Sequence, residues 1–169
     1  EKIIELVHHY MLEGNNQYAP MPGTPVLRAA IAGVVESSFG RKVDPETEIT
    51  ITSGATESTY SIIAALISPG DEVIIFDPAY DSYHPAVRLN GGVPVHINLH
   101  GVNFSIDWDV VRSRITARTK MIIINTPHNP TGTVLLERDL RELEKIVLEY
   151  DLLVLSDEVY ERLIFDGIQ

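Results

Sequence analysis

Short apolar runs alternate with amphipathic stretches along most of this chain. The runs are EITITS (48–53), EVIIFD (72–77), VPVHINL (93–99), KMIIINT (120–126) and LLVLSDE (152–158). Their length and their content of Val, Ile and Leu predict buried strands. The stretches between them predict helices at GATESTYSIIAALI (54–67), within DSYHPAVRLNGG (81–92), at DWDVVRSRI (107–115) and at ERDLRELEKIVLEY (137–150). The last has Leu140, Leu143, Ile146 and Val147 on one face. Two further helices precede the first strand. One opens the chain with Ile3, Ile4, Leu6, Val7, Tyr10 and Met11 at helical spacing. The other has Thr24 as N-cap and Pro25 at its first position, and runs to about Ser38 before Gly40 ends it.

Strands alternating with helices predict an α/β fold of three layers, helix–sheet–helix, around a mostly parallel sheet. In such sheets ligands bind outside the carboxyl ends of the strands, so the residues just past each strand matter most. The chain opens inside a helical pattern and stops just after a strand, which predicts a piece of a longer protein. Residues 1–46 read as a helical segment with a Gly-, Asn- and Pro-rich loop, and 47–169 as an incomplete α/β domain.

Composition narrows the chemistry. The 24 acidic residues outnumber the 13 Lys and Arg, for a formal charge of −11. That argues against nucleic acid or an anionic membrane as principal partner. The absence of cysteine removes disulfides, thiolate metal sites and a cysteine nucleophile. No apolar run is long enough to span a bilayer, and the cytoplasm is the expected compartment. His84, His96, His100 and His128 show no metal-ligand spacing and read as structural or solvated.

Four strand ends carry pointed chemistry. TSGATES places the small residues Ser53, Gly54 and Ala55, then Thr56, at a helix start, where backbone N–H groups and the helix dipole favour an anion such as phosphate. A well-capped helix with nothing bound explains that stretch equally well. DPAYDSY offers Tyr80 and Tyr83, either of which could stack on a flat ring. NTPHNPTG follows a strand with two prolines and a glycine that turn the chain, yet turning alone gives Asn129 no task. SDEVY puts Asp157 at a strand end and Tyr160 three residues on. Together a phosphate site, a stacker, an amide and a carboxylate suit one ligand, a flat phosphorylated heteroaromatic with a basic nitrogen. Pyridoxal phosphate (PLP) has those features.

With these motifs in this order, the chain resembles a class I aminotransferase of the fold-type I PLP family. NQYAPMPGTPVLRAAIA, TSGATES, SPGDEVIIFDPAYDSY, NTPHNPTG and LSDEVYERL carry the resemblance over nearly the whole length. FDPAYDSYHPAV and NTPHNPTGTV are most similar to the kynurenine and methionine aminotransferase branch. The resemblance implies that Gly54, Ala55 and Thr56 hold the phosphate with Ser53 nearby, and that Tyr80 stacks on the ring. Asn129 and Tyr160 would bond the ring's O3′ oxygen, and Asp157 would pair with the ring nitrogen. It further implies a homodimer in which Tyr18 reaches the neighbouring subunit's phosphate, a contact made by the loop before residue 46, with residues 47–169 as part of the PLP-binding large domain. The Asn129–Pro130 bond is often cis in relatives.

One part of the family pattern is missing. The catalytic lysine that forms the Schiff base lies, in relatives, a few tens of residues beyond the aspartate that matches Asp157. Lys2, Lys42, Lys120 and Lys145 do not match it. The resemblance therefore implies an enzyme transferring an amino group from a methionine, aromatic or kynurenine-like amino acid to a 2-oxo acid. These 169 residues alone are expected to be inactive, with the 48–53 strand short of neighbours. A carbon–sulfur lyase, an aminocyclopropane carboxylate synthase-like enzyme and a non-catalytic aminotransferase-like binding domain stay open. A plain nucleotide-binding α/β domain leaves Asn129, Asp157 and Tyr160 without roles.

Overall fold

The computed structural model describes residues 1–165. The chain divides into two compact units, Glu1–Thr52 and Ser53–Gln169.

The N-terminal unit holds helices α1 (Lys2–Leu12) and α2 (Pro25–Phe39). Thr24 is the extended N-cap residue of α2, Pro25 takes the first helical position, and Gly40 closes the helix in the left-handed conformation at φ 66°. Gly23 is held at φ 97°, and a Cβ there would stand 2.3 Å from Ile51 Cγ1. Only glycine fits that approach. The buried Arg28 ties the unit together: its guanidinium donates to the Pro45 carbonyl at 2.7 Å and meets the Glu46 carboxylate at 3.3 Å. The strand expected at 48–53 does not form. That segment enters no ladder, and the Ile51 N–H donates instead to the Pro22 carbonyl at 2.9 Å. A strand exists through pairing, and 48–53 joins no ladder among the described residues.

The second unit runs α3 (Ala55–Leu66), β1 (Glu72–Asp77), α4 (Tyr83–Leu89), β2 (Val93–Asn98), α5 (Trp108–Arg114), β3 (Thr119–Asn125), α6 (Glu137–Tyr150) and β4 (Leu153–Asp157). The four strands form one parallel sheet in the order β2-β1-β3-β4. Period-two alternation gives each face its own core. Val73, Ile75, Met121 and Ile123 pack with Ile63 of α3 and Val87 of α4. Ile74, Phe76, Ile122 and Ile124 pack on the other face with Val111 of α5 and with Leu143 and Ile146 of α6. Leu140, expected on that apolar face, is 44% exposed at the start of α6. Asp107 caps α5 by accepting from the N–H groups of Asp109 and Val110.

Buried Glu72 anchors the amino end of β1. Its carboxylate accepts from the hydroxyls of Thr116 and Thr119 and from the Arg118 guanidinium at 2.7 Å. The hydrogen bonds from Thr116 and Arg118 hold this carboxyl below its ordinary range. At the other end of the strand, Asp77 lies 2.8 Å from His96 Nδ1, and His96 Nε2 lies 2.8 Å from His84 Nδ1. These two histidines thus link α4 to the edge strand β2, an arrangement their sequence spacing does not disclose.

Candidate binding site

β1 pairs with β2 on one side and with β3 on the other, so the chain changes direction across the sheet between β1 and β3. The β1–β3 pairing extends only to Ile74 and Ile122. Beyond those residues the two strands have no ladder between them, which opens a crevice at the switch point where α/β sheets take ligands.

A cleft of about 220 Å³ lies there, lined by Ala55, Thr56, Tyr80, Asn129, Asp157 and Tyr160. Thr59, Asn125 and Val159 complete its wall. The lining therefore comes from the start of α3 and from the loops after β1, β3 and β4. Thr56 Oγ1 and the Tyr80 hydroxyl stand 3.4 Å apart. Gly54 takes φ 95° as the N-cap residue of α3, with nothing within 4 Å of where a Cβ would sit.

Ser53 and Gly54 are not part of the cleft lining. Ser53 faces a neighbouring groove with Tyr60, Pro85 and Leu89, and its N–H donates to the Glu57 carboxylate at 2.5 Å. Tyr18 belongs to the N-terminal unit and has a fully exposed side chain. His128 is not in the cleft wall either; it lines a small apolar pocket of about 30 Å³ with Phe76, Leu99 and Leu135. Its Nδ1 bonds the Thr131 hydroxyl at 2.8 Å, its carbonyl accepts from Gly132 N–H, and burial lowers its pKa.

Two residues with large parts in this geometry are Asn125 and Tyr83. Asn125 is 7% exposed at the end of β3. Its amide donates to the Asp157 carbonyl at 2.9 Å and accepts from the Asn129 N–H at 2.7 Å. One side chain thereby fixes the spacing between the carboxylate-bearing and amide-bearing loops. In sequence Asn125 reads as one more strand residue, because the signal lies in its polarity at the end of an apolar run. Tyr83, 3% exposed, donates from its hydroxyl to Asp157 Oδ2 at 2.5 Å. Burial, followed by that carboxylate, raises its pKa far above the ordinary tyrosine value. Asn129, in contrast, has no partner for its side-chain amide among the described residues, and its bond to Pro130 is cis. The Asp77–Pro78 and Thr126–Pro127 bonds are cis as well.

None of the four lysines is in the cleft wall. Lys42 pairs with Glu36 and Lys145 with Glu142, while Lys120 is exposed at the amino end of β3.

The cleft and its donor set lie at the carboxyl ends of the strands of a doubly covered parallel sheet, the architecture of an α/β fold. The family is fixed by sequence: residues 1–168 match the aminotransferase class I and II model, and the chain belongs to that family. It is 44% identical over 161 residues to methionine aminotransferase of Escherichia coli, covering 95% of this chain and 42% of the relative. It is 42% identical to the probable N-succinyldiaminopimelate aminotransferase of Mycobacterium tuberculosis, covering 98% and 42%. Mouse kynurenine–oxoglutarate transaminase 3 is 39% identical, with 96% and 38% covered. The solved E. coli and M. tuberculosis structures superpose with TM-scores of 0.91 and 0.95. The chain spans about 42% of the length of the first two of these relatives. The family is generally PLP-dependent and in general handles amino-acid and oxo-acid substrates. Among the described residues no helix is long and apolar enough to cross a membrane.

Proposed function

We propose that this chain supplies the PLP-binding part of an aminotransferase that moves an amino group from an amino acid to a 2-oxo acid. A methionine, aromatic or kynurenine-like donor suits the relatives it resembles. The working protein is a cytoplasmic homodimer in this reading, with Tyr18 serving the neighbouring subunit's phosphate.

The residues present fit the cofactor. The start of α3, with Ala55 and Thr56 on the cleft and Ser53 and Gly54 preceding them, suits the phosphate. Tyr80 suits the ring face, and Asn129 and Tyr160 suit its phenolic oxygen. The chemistry the cofactor would supply when bound is an electron sink for the substrate carbon. The Asp157 carboxylate holds the proton on the ring nitrogen, because an adjacent negative charge favours the protonated form. Asn129 and Tyr160 would hold the ring by its phenolic oxygen, and Tyr80 would pack on its face. No residue of the cleft wall can serve as the family's lysine, so these residues bind and orient but do not shuttle the substrate proton.

The observation that carries the reading is the side-chain amide of Asn129. Among the described residues it lines the cleft without a protein partner, while the backbone beside it is held by Asn125. Equilibrium dialysis of PLP against the chain tests it. Saturable one-site binding that weakens in Asn129→Ala and Asp157→Ala is expected. Binding unaffected by both substitutions refutes the assignment.

A further inference from the structure

We infer that Tyr83 is a positioning residue that aims the Asp157 carboxylate at the cofactor's ring nitrogen. The inference rests on the cofactor reading above and adds a residue to it.

The geometry has three parts. First, the Tyr83 ring is clamped: it is 3% exposed among Ile63, Val87 and Leu155, and it meets the Tyr80 ring edge-on at 5.7 Å. A ring so enclosed holds its hydroxyl at a fixed point. Second, that hydroxyl is 2.5 Å from Asp157 Oδ2, while Val159 N–H donates to Oδ1 at 3.2 Å. Each carboxylate oxygen is therefore held by its own donor, which fixes rotation of the group. A carboxylate oxygen accepts two hydrogen bonds, so one site on each oxygen stays available for the cleft. Third, the backbone of Asp157 is pinned separately, its carbonyl accepting from Asn125 Nδ2 at 2.9 Å and Thr126 N–H at 3.1 Å.

The raised pKa of Tyr83 agrees with this arrangement. A phenol that keeps its proton has one to donate to the Asp157 oxygen beside it. The sequence distance also matters. Tyr83 and Asp157 are 74 residues apart, so the contact forms only when α4 and β4 are both in place. Tyr80 and Tyr83 divide the labour of one loop, the first facing the ligand and the second facing the group that meets the ligand.

The test compares three ligands on the full chain by equilibrium dialysis: PLP, a PLP analogue with the ring nitrogen replaced by carbon, and inorganic phosphate. Tyr83→Phe keeps the ring and removes only the hydroxyl. It is expected to weaken PLP binding about tenfold, the scale of one hydrogen bond to a charged group, and to leave the other two ligands within about twofold. In an Asp157→Asn background the same substitution is expected to change PLP binding by less than about twofold, since the coupled partner is already altered. Equal loss for all three ligands, no loss for PLP, or a full additional loss in the Asp157→Asn background overturns the inference. Failure of the unsubstituted chain to bind PLP overturns the site reading itself and the inference with it. Binding by the unsubstituted chain with no Tyr83 effect overturns the inference alone.

Discussion

Asn125→Ala removes a side chain that joins the loop after β3 to the end of β4. Two hydrogen bonds are lost, to the Asp157 carbonyl at 2.9 Å and from the Asn129 N–H at 2.7 Å. A typical hydrogen bond contributes about 1 kcal/mol net, and leaving a buried donor without an acceptor costs about 1–3 kcal/mol. The Asp157 carbonyl keeps the Thr126 N–H at 3.1 Å, so only the Asn129 N–H loses its acceptor. The expected loss is about 2–4 kcal/mol, a fall of roughly 30- to 1,000-fold in the folded-to-unfolded ratio. Urea denaturation of the full chain measures it as a lower midpoint at unchanged m. Lys145→Ala, which breaks an exposed pair with Glu142, is the control and should stay within about 0.5 kcal/mol. A loss for Asn125→Ala no larger than that control refutes the linking role.

Asn129→Ala should separate binding from stability: because its side-chain amide has no protein partner among the described residues, the denaturation midpoint stays within about 0.5 kcal/mol while PLP affinity falls about tenfold. Gly23→Ala should destabilise the N-terminal unit, since the new methyl meets Ile51 Cγ1 at 2.3 Å; amide hydrogen exchange over α2 checks it, and unchanged protection refutes it. Acidification should weaken the fold in two windows. The folded pKa of His128 is lowered, so its contribution is complete above the ordinary value of 6.5 and lost as pH falls from there through the folded value; His128→Gln abolishes that segment of the stability–pH curve. The folded pKa of Glu72 is also lowered, so its contribution is complete above the ordinary value of 4.5 and lost as pH falls through the folded value; Glu72→Gln flattens that lower segment, and curves unchanged by either substitution refute the assignment.

Most elements of the second unit were legible because two periodicities are clear there. Ile122, Ile123 and Ile124 of β3 are buried toward alternate faces, and Leu143 and Ile146 of α6 recur at helical spacing. Residues 48–53 show the limit of that reasoning: alternation in EITITS describes a residue pattern, whereas a strand also needs neighbours. The cleft was legible in part. Ala55, Thr56, Tyr80, Asn129, Asp157 and Tyr160 stood out because loop residues with special chemistry follow apolar runs, and the structure brings those six together. Asn125 and the Asp157 contact of Tyr83 were hidden, because each acts through a partner far along the chain. The same holds for the His84–His96 contact.

The order β2-β1-β3-β4 has a consequence for how occupancy and folding are coupled. The cleft wall begins at Ala55 and ends at Tyr160, and no neighbouring pair of secondary-structure elements supplies it alone. A partly folded chain thus has no ligand site, and anything that fits the wall selects against every incomplete species. Ligand concentration then acts as a folding variable, adding about 2.7 kcal/mol at a hundredfold excess over the dissociation constant. A ligand that fits the wall would, by the same linkage, shield the chain from proteolysis of its unfolded form.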